Sequence, residues 1–266
     1  MRKLIFILFY ATVHTAHAIL PPPNNAVSLS LGGASATYTN AFAIENNVAA
    51  LAKTNGELSL NASNRFGLSE YSQLMLAGNF KSKVASIGFA YRVTPFSALT
   101  EHKAQLGIAK ELGEKVAAGV AINYHYFASP NAYYQNHSVL TFNAGIYYTV
   151  NDKLNAGFSI FNPNRSTLTS TPEEHLVANF RIGLDYALSD NLKLYSDLVQ
   201  ASEQQPDFNA GMELTKEHYH IRGGFGLNQL VAVGFGWQTQ KLTLDVTAAY
   251  HNQLGFSPSL NVSHAF

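Results

Sequence analysis

The sequence predicts an all-β protein: a transmembrane antiparallel β-barrel of about 14 strands, with an N-terminal plug in its lumen. Three observations predict it. The 266 residues are 47% hydrophobic yet only 13% charged, roughly half the ~25% charge of an ordinary soluble domain. Beyond the N-terminus no run approaches the ~20 apolar residues of a spanning helix, and mean hydropathy is −0.03. From residue 57 onward, apolar and polar residues alternate with period two, which marks strands with one apolar face.

Composition excludes several alternatives. Aromatics make up 12% of the chain, too many for a disordered protein. The 17 basic and 17 acidic side chains cancel, so no basic face argues for nucleic acid. Cysteine is absent, which removes disulfide scaffolds, thiol catalysis and cysteine zinc sites. An exported chain without disulfides has to be held by burial or by backbone pairing.

Taken in order, residues 1–18 read as an export signal. Arg2-Lys3 is a basic start, Leu4 to Val13 an apolar core, and Ala16-His17-Ala18 a cleavage site after Ala18 on the Sec pathway. A short buried helix or an anchor is the alternative, but the run is too short to span. Residues 19–56 differ in character and are assigned to the plug. Pro21-Pro22-Pro23 cannot be a central strand, and Gly32 and Gly33 open a turn. Val48, Leu51 and Ala52 have helical spacing, with Asn46 and Asn47 as caps and a stop near Gly56. A periplasmic leader or an extra strand is the competing reading.

Residues 57–266 form the barrel. Strands are expected near 57–66, 71–81, 83–93, 101–111, 115–128, 138–150, 153–161, 176–188, 192–202, 208–215, 218–227, 230–238, 241–251 and 257–266. At about ten residues each they suffice to cross a membrane when tilted. In 83–93, Ile87, Phe89 and Tyr91 oppose Ser86, Gly88, Ala90 and Arg92. In 116–126, Val120, Ile122 and Tyr124 oppose Ala117, Gly119, Asn123 and His125. Tight turns at Gly113-Glu114, Asn151-Asp152, Ser189-Asp190-Asn191, Asn228-Gln229 and Thr239-Gln240 punctuate these strands. Longer links fall at 94–100, 129–137, 162–174 and 204–207. Short turns alternating with long loops suit a membrane barrel. A soluble sandwich or lipocalin-like barrel would carry Lys and Glu on its polar face; here that face is Gly, Ser, Asn and Ala. Gly223-Gly224-Phe225-Gly226 accordingly reads as small residues packed inside.

The polar face also carries a few candidate lumen residues: Arg92, Asn123, His125, Arg181, Asp185, Glu213, Arg222, Lys241 and Asp245. Charges at membrane depth are tolerated only toward a wet or paired interior. They predict a salt-bridge network between plug and wall, with an open selectivity ring as the alternative. Outward Tyr91, Tyr124, Tyr126, Tyr148, Tyr186, Trp237 and Tyr250 are candidates for the interfacial girdles. No catalytic, metal or cofactor site is expected. Glu217, His218 and His220 could in principle bind zinc, but a strand end at the membrane rim is the simpler account. Glu173-Glu174-His175 reads as a solvated loop. There is no Gly-x-Ser-x-Gly elbow and no phosphate loop.

Two resemblances add to this. Leu260, Val262 and Phe266 close an alternating run, which resembles the last strand of bacterial outer-membrane barrels. It implies an outer-membrane location, contact with outer-membrane lipid and recognition by the barrel assembly machinery through Phe266. The stretches Gly32-Gly33-Ala34-Ser35-Ala36, Asn40-Ala41-Phe42-Ala43 and Asn46-Asn47-Val48-Ala49-Ala50-Leu51 resemble the amino-terminal region of PorV/PorQ-type proteins. Those are outer-membrane barrels of Bacteroidota related to the FadL transporters. Phe161-Asn162-Pro163 and His251 to Pro258 are softer matches. The resemblance implies fourteen strands, an internal hatch and one of two functions. One is binding or passage of a small hydrophobic molecule; the other is a non-transporting accessory of type IX secretion that binds secreted or complex proteins. The chain departs from the pattern at Asn46-Asn47, where acidic residues are usual, and at Lys53-Thr54-Asn55-Gly56, which lacks the usual proline.

Overall fold

The computed structural model describes residues 25–266 apart from 97–98, 130–135, 167–175, 203 and 228–229. The export signal, Pro21 to Pro23, Glu173-Glu174-His175, the Asn228-Gln229 turn and parts of the longer links lie outside the described residues.

Fourteen strands close into one barrel, each antiparallel to the next, with the last pairing the first. They are β1 (Glu57–Asn64), β2 (Ser72–Lys81), β3 (Ser86–Pro95), β4 (Thr100–Glu111), β5 (Val116–Ala128), β6 (His137–Asn151) and β7 (Leu154–Phe161). The second half is β8 (Asn179–Ala187), β9 (Leu192–Ala201), β10 (Asp207–Lys216), β11 (Tyr219–Gly226), β12 (Leu230–Gln238), β13 (Leu242–His251) and β14 (Gly255–Ala265). Closure leaves no strand edge unpaired, as a hydrocarbon environment demands. The predicted 57–66 strand ends at Asn64, because Phe66 and Gly67 take left-handed backbone at φ 60° and 70°.

The alternation sets the two faces. Large apolar side chains such as Ile87, Leu106, Val120, Phe142 and Ile182 stand on the outside. Ser86, Asn123, Thr141, Asn143 and Asn179 are buried on the inside. Tyr91, Tyr124, Tyr148, Tyr186, Trp237 and Tyr250 also face out. Gly223 corrects the reading of its stretch: Gly224 meets the interior chain at Leu31, whereas Gly223 faces outward between them in the alternation. Phe225 is likewise exposed.

Residues 25–56 lie inside. The helices α1 (Ala26–Ser30) and α2 (Ala43–Asn46) are followed by a 3-10 helix, Val48–Lys53. Asn25 caps α1 by accepting from the Ser28 N–H at 3.0 Å. Asn47 caps the 3-10 helix by accepting from the Ala49 N–H at 3.2 Å. Asx side chains are favoured at that position because they satisfy an otherwise orphaned backbone donor. Phe42, Ile44, Val48 and Leu51 form an apolar cluster with Met75, Ala77, Ala90, Ala109, Ala117 and Tyr147 of the wall.

Candidate functional site

The interior segment follows the wall almost strand by strand in reverse order. Its course is readable from inward glycines that let its backbone approach. A Cβ on Gly211 would sit 2.7 Å from the Leu31 Cα, and one on Gly119 would sit 2.9 Å from the Ala49 N. Gly88 meets Leu51, Gly107 meets Val48, and Gly157 meets Ala36. Several of these glycines face each other across neighbouring strands, as in the pairs Gly88/Gly107, Gly119/Gly145, Gly157/Gly183 and Gly211/Gly224. Glycine weakens a strand and marks a close backbone approach. Together they form a track in which the segment is seated.

Charged clusters hold the segment at three levels. Toward the loop-bearing end, the Glu45 side chain has no exposure and receives Arg92 Nη1 at 3.0 Å and Lys103 Nζ at 3.0 Å. Arg92 also lies 3.6 Å from Glu101, and Glu101 takes a 2.8 Å contact from His125 Nδ1. Burial works to raise the Glu45 carboxyl, but Arg92 and then Lys103 outweigh it and hold it below the usual carboxylate range. Below this cluster, Gln105 donates to Asn123 at 2.7 Å, and Asn123 donates to Thr141 and Asn143.

At mid-height, Asp197 accepts the backbone N–H groups of Ser35 at 2.7 Å and Ala36 at 2.9 Å. Arg181 pairs with Asp197 at 3.0 Å and donates to the Gly33 carbonyl at 2.9 Å. Nearer the short turns, Arg222 pairs with Glu213 and, at 2.7 Å, with Asp245. Tyr38 of the segment donates to Glu213 at 3.2 Å and accepts from Arg222 at 3.3 Å. Burial holds the Tyr38 phenol well above its ordinary value, so it remains a neutral donor.

Thus Arg92, Asn123, His125, Arg181, Glu213, Arg222 and Asp245 line the interior, and the structure joins them to the segment or to one another. Asp185 is buried as well, bonded to Asn155 at 3.1 Å and lying 3.7 Å from Lys193. Lys241 is a correction. It precedes β13 in the turn after Thr239 and is exposed, because the turn runs one residue further than expected and the strand begins at Leu242. His220 is held by Thr215 and Gln238 at a strand end. Among the segment residues, Gly32 and Gly33 adopt φ 69° and 101° in the turn after α1, and Gly56 abuts the Phe266 ring as the chain enters β1.

Sequence reading missed Tyr38, Glu45, Glu101, Lys103 and Asp197. Lys103 and Glu101 share the inward parity of Gln105, opposite Leu106 and Ile108, so strict alternation could have found them. Asp197 was masked because inward Tyr195 and Val199 flank it and blur the apolar face. Glu45 carried no periodic signal at all.

A barrel of this kind has known relatives. The model of the type IX secretion system membrane protein PorP/SprF matches residues 55–265. The chain belongs to that family. It is an outer-membrane β-barrel protein. The match covers the wall and begins after residues 32–51, the motifs on which the PorV/PorQ resemblance rests. Among solved structures it is similar to the P. putida toluene transporter TodX, with a TM-score of 0.71 at 10% identity over 91% of this chain and 98% of that one. A deltaS2 mutant of the TodX monoaromatic hydrocarbon channel gives 0.73 at 10% identity over 91% and 98%. A Pseudomonas aeruginosa FadL homologue gives 0.61 at 10% identity over 92% and 99%. At these identities the likeness is one of fold. No curated protein matches the chain.

Proposed function

We propose that this protein is a barrel component of the type IX secretion machinery whose lumen is closed at rest by the plug, residues 25–56. The observation that carries the reading is the seating of that segment: a glycine track beneath it and charged clusters at three levels, on a wall that matches the secretion family. A barrel built to leak would not invest its few charges in holding its interior chain. In this reading the protein acts as a membrane-embedded body that binds secreted proteins or other parts of the complex, and it is not an enzyme. Kinship with PorV/PorQ is a finer version of the same role, supported by the N-terminal motifs. Export by the Sec pathway with cleavage after Ala18 follows from Arg2-Lys3 and Ala16-His17-Ala18.

A FadL-like role, passing a small hydrophobic molecule, is the second reading. It is favoured by the fold shared with a toluene transporter and by a concave apolar patch of about 930 Å³ on the wall between β7 and β12. Leu184, Leu194, Met212, Phe225 and Val231, which line that patch, are outward residues. Gentle purification followed by mass spectrometry separates the two. Co-purifying secretion components without a stoichiometric apolar ligand support the first, and a bound apolar ligand without protein partners overturns it.

A further inference from the structure

The interior segment is not held uniformly. Its charged contacts, among the described residues, fall between Gly33 and Lys53. The glycine pairs lie on β3 to β8 and β10 to β11, and the apolar cluster seats the 3-10 helix. The α1 end is different. It packs against β12, β13 and β14, and its backbone is tied by neutral bonds: Ala26 N–H to Asn61 at 2.9 Å, and Thr247 to the Ala26 carbonyl at 2.7 Å. Where β14 meets β1, the inward positions are Ser257, Ser259, Asn261 and Ser263 facing Ser59, Asn61 and Ser63, with Glu57 accepting from Ser59 at the short-turn end. That is a ladder of hydroxyls and amides running almost from rim to rim. Ser59 bonds Ser263 at 2.7 Å, and Ser259 bonds Asn61 at 3.1 Å.

The closed packing also leaves this seam short of hydrogen bonds. Asn25 Nδ2, Asn61 Nδ2 and Asn261 Oδ1 are buried without a partner, and each residue is at most 2% exposed. A buried polar atom without a partner is costly, and contact with water removes the cost. Lifting α2 and the 3-10 helix would expose Phe42, Ile44, Val48 and Leu51 to water and strand Glu45's cations. Lifting α1 would uncover only Val27 and Leu29 with the small wall residues Ala232 and Ala249, and would otherwise wet the hydrophilic face of β14 and β1. The two ends of the segment therefore differ in what their release exposes.

We propose that α1 is the removable part of the closure, and that its withdrawal opens a hydrophilic route along the β14–β1 seam for small uncharged polar solutes of sugar-like size. This goes beyond the secretion reading, since it concerns permeation and not partners. The chain has no cysteine, so single thiols report cleanly. In proteoliposomes of the full chain, Ser259→Cys should react with a membrane-impermeant methanethiosulfonate at least tenfold faster than Ala117→Cys, which lies in the apolar cluster. In the Ser30→Cys/Gly234→Cys variant an oxidised crosslink would pin α1, because a Cβ on Gly234 falls 2.5 Å from the Ser30 Cβ, and a small shift reaches disulfide geometry. Arabinose entry, read by vesicle swelling, should fall on oxidation to the rate of protein-free vesicles and recover on reduction. Heat-modifiable gel mobility confirms that each variant is folded. The proposal is overturned if Ser259→Cys reacts no faster than Ala117→Cys. It is equally overturned if the oxidised barrel admits arabinose as fast as the reduced one.

Discussion

Glu45→Gln is the sharpest perturbation of the closure. The carboxylate has no solvent exposure and sits 3.0 Å from both Arg92 and Lys103. Glutamine keeps the shape and removes the charge, leaving two buried cations with less compensation. Removing one partner of a buried ion pair costs about 3–5 kcal/mol. Two features place this case at the lower end. Arg92 retains Glu101 at 3.6 Å, and Lys103 Nζ stays 5.3 Å from the centre of the Phe161 ring, a favourable place for a cation. A loss of about 3 kcal/mol corresponds to roughly a 100-fold shift toward the undocked segment.

The wall pairing is untouched, so barrel mobility on a gel should not change. The effect should appear instead in local opening. Ala52→Cys, only 2% exposed in the 3-10 helix, serves as reporter. Its reaction with a hydrophilic thiol reagent should accelerate about 100-fold when Glu45→Gln is added. Adding Lys103→Met as well should restore much of the protection, because the stranded ammonium is then gone. Acceleration of less than threefold, or a double variant as reactive as Glu45→Gln alone, would refute the latch.

Further expectations follow from the same geometry. Leu106→Arg places a charge on the outer apolar band, where Leu106 is 58% exposed; denaturant unfolding in vesicles should show a loss of about 2–4 kcal/mol. Gly211→Val should cost about 1–3 kcal/mol by overpacking, since its Cβ would meet the Leu31 backbone, and thermal unfolding in detergent should register it. The lowered Glu45 pKa also sets a pH dependence. Its stabilisation is complete above the unfolded value near ~4.3 and is lost as pH falls through the folded value. Labelling at Ala52→Cys, taken as a ratio to an exposed reference thiol so that the loss of thiolate in acid cancels, should therefore rise below about pH 4, and Glu45→Gln should abolish that rise.

The wall was legible because a membrane barrel obeys one rule along its whole length. Each strand must turn an apolar face to lipid, and period two reveals both that face and its opposite, so fourteen strands emerged within a few residues of their ends. Deviations occur where the rule lapses. Lys241 precedes its strand, Gly223 is a small residue on the lipid side, and Tyr195 and Val199 are large residues on the lumenal side. The interior segment obeys no period because it is shaped by the cavity it fills. Its helix was readable from Val48 and Leu51, and its cap from Asn47. The role of Glu45 was not readable, since that residue has meaning only beside Arg92 and Lys103, about fifty positions away in sequence.

That asymmetry bears on how wall and segment specify each other. A strand interior gains nothing of its own from glycine, which loses roughly 0.5–1 kcal/mol against alanine in a regular element. Yet the wall carries inward glycines on β3 to β8 and again on β10 to β12, several directly opposed across strands. Most lie where the chain between Ser30 and Leu51 comes close enough to exclude a side chain, while Gly183 makes room for Asp197 to meet that chain and Gly236 makes room for Asp245 and Arg222. Beneath α1 the track reaches its last member at Gly234, and beyond it Thr247 and Ala249 on β13 and serine and asparagine on β14 and β1 take its place. The wall is thus built as a seat over most of its circumference and as a wettable surface over the remainder. Where the segment is fixed and where it can leave are both inscribed in the inward face of the strands.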